Sequence, residues 1–85
     1  MQLQAGMVVQ ATAGKEQGGF YLVTALEGHY ALLADGKHRP IERPKRKNLR
    51  HIAPTSTVWE LQGLTNRELR RRLLDFASKG GICFG

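Results

Sequence analysis

The chain has 85 residues, of which 41% are apolar and 24% charged, a composition that excludes wholesale disorder and leaves room for one small core. A single cysteine, Cys83, excludes an intramolecular disulfide, and no apolar run approaches the roughly 18 residues of a membrane span. The net charge of +6 is concentrated: residues 37–51 hold seven basic side chains against Glu42 alone, which equals the whole excess.

From residue 7 onward, apolar residues come in short groups separated by turn residues, the pattern of short strands. The first strand is expected at 7–11, followed by a glycine-rich loop at 13–19 containing Gly14, Gly18 and Gly19. A second strand at 20–26 turns at Glu27-Gly28 into a third at 29–34, and the two should pair antiparallel. Asp35-Gly36 then reads as a type I′ hairpin turn into a fourth strand around 39–42, kept short or at an edge by Pro40 and Pro44. A fifth strand at 49–52 should end at Ala53-Pro54. The expected fold is mainly β: a small, partly open SH3-like barrel of about five strands followed by a C-terminal α-helix. Its core should come from Met7, Val9, Tyr21, Val23, Tyr30, Leu32, Ile41 and Ile52.

The barrel is placed at 1–53 and a connector at 54–63, the latter too apolar for a free linker, with Trp59 expected to pack on the barrel. An amphipathic helix follows at 64–79. Thr65-Asn66-Arg67-Glu68 fits a capping box, with Leu64 and Leu69 as its hydrophobic staple. Leu69, Leu73 and Phe76 repeat at helical spacing, Arg67, Arg70 and Arg71 fall on another face, and Gly80-Gly81 supplies the stop before an apolar tail at 80–85.

A localised positive field attracts polyanions, so nucleic acid is the leading partner class. The candidate binding residues in the basic segment are Lys37, Arg39, Arg43, Lys45, Arg46, Lys47, Arg50 and His51. Pro44 stiffens the backbone there and reduces the entropy lost when the cations engage phosphates. Gly14 and Gly18 would let a sugar-phosphate chain approach the backbone closely, with Lys15 adding charge. Arg67, Arg70, Arg71 and Arg72 could extend the footprint, although charged helix surfaces are routine. Tyr21, Tyr30 and Phe20 could stack on bases if exposed, but such aromatics are more often core.

Enzymatic readings have little support. His29, His38 and His51 are isolated from one another, and a lone cysteine gives no zinc spacing or nucleophile turn. No catalytic residue, metal, cofactor or small-molecule substrate is expected. The start of the chain lacks the basic and apolar regions of a signal peptide, which places the expectation in the cytoplasm.

The runs Gly6-Met7-Val8-Val9, Ala13-Gly14-Lys15 with Gly18, Ala34-Asp35-Gly36-Lys37 and Pro44-Lys45-Arg46-Lys47-Asn48-Leu49-Arg50-His51 resemble KOW-motif RNA-binding proteins. The similarity is to small bacterial KOW-domain proteins akin to a large-subunit ribosomal protein family of archaea and eukaryotes. It covers residues 6–52 and implies an SH3-like barrel, RNA binding and a ribosome-associated or translation role. In such proteins the KOW loop and adjoining basic strands face RNA, which here implicates Gly14, Lys15, Gly18, Lys45, Arg46 and Lys47. The chain departs from its relatives at Gly19, where a basic or polar residue is frequent. Ribosomal RNA is therefore the expected partner, with ribosomal proteins or a translation factor as further ones. The alternative is a protein-interaction module that docks a translation or transcription factor.

Overall fold

A computed structural model describes residues 3–15 and 17–79. Five strands form one antiparallel sheet: β1 (Met7–Ala11), β2 (Phe20–Glu27), β3 (Tyr30–Ala34), β4 (Lys45–Asn48) and β5 (Ile52–Val58). A single 3₁₀ turn (Leu49–His51) joins β4 to β5, and one helix, α1 (Asn66–Ser78), follows. The spatial order is β4-β3-β2-β1-β5, so the chain is mainly β, a small barrel-like domain with a C-terminal helix, as expected.

The sheet has apolar residues on both faces. Met7, Val9, Val23, Ala31, Leu33 and Ile52 are buried on the inner face, with Tyr21 packed against them. Val8, Leu22 and Ala34 are buried on the opposite face, where Leu69 and Leu73 of α1 cover them. Three consecutive residues of β1, Met7, Val8 and Val9, are thus buried, because a pleated strand sends neighbours to opposite faces and here both are covered. Trp59 packs on the helix side of the sheet as expected, edge-on to Phe76 with ring centroids 6.2 Å apart.

The expected core needs correction in three places. Tyr30 is 39% exposed, Leu32 is only half-buried, and Ile41 packs in the helix-side cluster rather than inside the barrel. The inward positions of β3 are Ala31 and Leu33, which puts Tyr30 and Leu32 on the other face. A register shift between Val23 and Ala25 breaks the simple alternation of β2, and Thr24 there donates its hydroxyl to the Leu32 carbonyl (3.2 Å).

Strand positions also differ after β3. No β-strand forms at 39–42, because the backbone there is satisfied otherwise. The Asp35 carboxylate accepts the N–H groups of Lys37 and Arg39, both at 2.8 Å, and the Arg39 carbonyl accepts those of Asp35 and Gly36. Among the described residues only glycines have positive φ, so Asp35-Gly36 is not a type I′ turn; Gly36 alone is left-handed, at φ +82. The fourth strand is instead Lys45–Asn48. Of the expected fifth strand at 49–52, Leu49–His51 make the 3₁₀ turn and only Ile52 belongs to β5; the turn is capped by Asn48, whose side chain accepts the Arg50 N–H at 3.0 Å.

Pro54 does not end the last strand. β5 runs on to Val58, across the expected junction of barrel and connector, because it lies at the sheet's edge, where a residue without an N–H is tolerated. The buried Thr55 hydroxyl donates to the Val8 carbonyl at 2.6 Å, close to the register shift between β1 and β5.

The helix begins as expected. Thr65 is its N-cap, and the reciprocal box with Glu68 is complete. Leu69 and Leu73 are buried, and Phe76 meets Phe20 edge-on at 5.1 Å. The expected stop at Gly80-Gly81, the tail and Cys83 lie outside the described residues.

Candidate nucleic-acid interface

The basic segment divides into three parts. Lys37, Arg39 and Arg43 stand on the loop between β3 and β4, with Lys37 and Arg43 exposed and Arg39 half-buried. This loop rests on the first turn of α1. A Cβ placed on Gly36 would overlap the Asn66 carbonyl oxygen and lie 2.9 Å from the Arg70 backbone nitrogen. The Asn66 side chain grips the same loop, accepting the Ile41 N–H at 2.7 Å and donating to both Glu42 carboxylate oxygens at 2.9 Å. That donation, with a smaller contribution from Glu42's own backbone N–H, holds the Glu42 carboxyl below its ordinary value. The cations of this loop are therefore carried on a docked segment.

Lys45, Arg46 and Lys47 form most of β4, an end strand of the sheet. Lys45 and Lys47 pair with Leu33 and Ala31 and so share the inner face, while Arg46 pairs with Leu32 on the outer face. They do not make one row. Because β4 has a neighbour on one side only, its open edge adjoins both rows, and a polyanion lying along that edge meets cations from both faces.

The glycine loop meets this edge. Lys47 Nζ donates to the Ala13 carbonyl at 2.9 Å, and a Cβ on Gly14 would stand 3.3 Å from the same nitrogen. The loop is closed by Gly18 N–H to the Ala11 carbonyl (2.8 Å) and Gln17 N–H to the Gly14 carbonyl (3.2 Å), leaving Lys15 exposed. His51, also exposed, is tied to the loop's start, its carbonyl accepting the Thr12 N–H at 2.9 Å. Gly14, Lys15, Gly18, Lys47 and His51 are thus gathered at one end of the barrel. Arg50 is exposed on the 3₁₀ turn, whereas Lys37, Arg39 and Arg43 belong with the helix.

One aromatic joins this surface that the sequence pattern places in the core. Tyr30 lies on the outer face with Arg46, whose guanidinium carbon is 4.8 Å from the ring centroid. No group of three His, Cys, Asp or Glu side chains among the described residues could hold a metal ion. No helix among them is long and apolar enough to cross a membrane. Of the helix arginines, Arg67, Arg71 and Arg72 are exposed, and Arg72 lies 5.9 Å from the Trp59 ring centroid.

Comparison with family models and with curated proteins finds no match to this chain.

Proposed function

We propose that the protein binds structured RNA, ribosomal RNA first, through phosphate contacts along the β4 edge and the glycine loop, in a ribosome-associated or translation role. The observation that carries this reading is the convergence of two separate sequence features: Lys47 of the basic strand is hydrogen-bonded to Ala13 at the start of the Gly14–Lys15 loop. Charge and close-approach backbone then share one surface, which suits a sugar-phosphate chain. The ribosomal assignment rests on the KOW resemblance. The reading as a protein-docking module is less well supported, because Leu69, Leu73 and Phe76, which would have met the partner, are packed against the sheet.

The test neutralises exposed cations only, since Lys47 also ties the loop to the strand. Lys15→Gln, Arg46→Gln and Arg50→Gln combined should weaken RNA binding by at least about tenfold at low salt while the far-ultraviolet circular dichroism stays unchanged. A folded triple variant with wild-type RNA affinity would defeat the proposal.

A further inference from the structure

Residues Tyr30, Leu32 and Ala34 alternate along one face of β3. The helix cluster takes in Ala34, but Tyr30, four residues back along the strand, keeps 39% of its surface exposed. Asn48 is its cross-strand partner, and Arg46 reaches it diagonally with the guanidinium over the ring. His29, Tyr30, Asn48, Leu49 and Arg50 line a shallow depression of about 320 Å³. Its frame is fixed by two hydrogen bonds: Leu49 N–H donates to the His29 carbonyl at 2.9 Å, and Arg50 N–H donates to Asn48 Oδ1 at 3.0 Å. The second bond leaves the Asn48 amide NH₂ out of the cap.

Building on the RNA-binding reading, we propose that this depression is the subsite for one unpaired nucleotide. Its base stacks on the Tyr30–Arg46 pair, Asn48 faces the base edge, and Arg50 meets the phosphate. A planar guanidinium on an aromatic ring forms a platform whose next partner is another π system, and every nucleobase has such a face. The lining carries Arg50 and no carboxylate; Arg46 stands over the ring and Glu27 opposite Tyr30 in β2, so cations outnumber carboxylates two to one around the depression, which suits a nucleotide better than a basic peptide. A fully paired duplex keeps its bases stacked inside and cannot fill the site, so the depression separates unpaired from paired RNA. A purely structural Tyr30–Arg46 pair would strengthen the β3–β4 pairing but would make no such distinction.

The full chain is titrated with two fluorescein-labelled probes, a single-stranded RNA oligonucleotide and a fully paired RNA duplex, at one low salt concentration. Tyr30→Leu should lose about tenfold in affinity for the single strand and less than about twofold for the duplex. Tyr30→Trp should keep single-strand affinity, and added single strand should quench its indole emission beyond the wild-type Trp59 signal, whereas duplex should not. The tryptophan variant also provides the reading if the leucine variant fails to fold. Equal losses on both probes, or no loss on either, with the emission of the Tyr30→Trp variant unmoved, would overturn the subsite while leaving RNA binding standing. A wild-type chain that binds neither probe would instead overturn the RNA-binding reading, and the subsite with it.

Discussion

Replacing Gly36 with alanine tests whether the loop that carries Lys37, Arg39 and Arg43 is held by the helix. Gly36 has φ +82, where an L side chain costs about 1–2 kcal/mol. Its added Cβ would also overlap the Asn66 carbonyl oxygen and lie 2.9 Å from the Arg70 nitrogen, both backbone atoms of a packed helix that cannot swing aside. The loop must lift, and lifting breaks the 2.7 Å bond from Ile41 N–H to Asn66, a net loss of about 0.5–1.5 kcal/mol. The backbone and hydrogen-bond terms together come to about 1.5–3.5 kcal/mol, a large share of the roughly 4–13 kcal/mol expected for a chain of this size. In a thermal melt this is a fall of about 8–20 °C. Gly28→Ala is the control: Gly28 is also left-handed, at φ +57, but a Cβ there meets nothing within 4 Å, so only the conformational cost of about 1–2 kcal/mol applies. Equal losses of Tm in the two variants would refute the claim that the loop is clamped on α1.

Two further outcomes follow from the same packing. Leu69 is fully buried among Val8, Leu22, Ala34 and Leu73, so Leu69→Ala should cost about 2–5 kcal/mol in urea unfolding; a loss under about 1 kcal/mol would mean that the helix does not complete the fold. Glu42 has its carboxyl held below the ordinary value of 4.5, chiefly by Asn66. Because the folded value is depressed, its stabilisation is present above 4.5 and is lost as pH falls through the depressed value. Melts across the acid range should show wild type more stable than Glu42→Gln at neutral pH and the gap closing below pH 4.5; a gap that persists in acid would contradict the assignment.

The elements legible in the sequence are those specified locally. The β-hairpin of β2 and β3 follows from Glu27-Gly28, and the capping box at Thr65 marks the helix start because both depend on neighbours within a few residues. Local patterns misplace the fourth strand because residues 35–43 close on themselves through Asp35 and Arg39 and are then held from far along the chain: Ile41 N–H is taken by Asn66, which nothing around Pro40 announces. The extent of β5 is hidden by Pro54, whose meaning depends on whether the strand is central or at an edge. Tyr30 reads as core because a strand's alternation does not say which phase faces inward; only the pairing, which sets Tyr30 opposite the exposed Glu27, puts it outside. The charge of the site is visible as a run, but its division between two faces of β4 requires the pairing register. The meeting of that run with the glycine loop is a contact across 34 residues of chain.

The central claim, binding of RNA through phosphates along the β4 edge and the glycine loop, is tested most directly by the salt dependence of RNA affinity. If Lys15, Lys45, Arg46, Lys47 and Arg50 each neutralise a phosphate, a plot of log affinity against log salt should fall with a slope of about 3.5–4.5, each contact adding about 0.7–0.9. Neutralising Lys15, Arg46 and Arg50 should flatten that slope by about 2–3. RNA binding that is absent, or that holds constant as salt rises, would contradict the account.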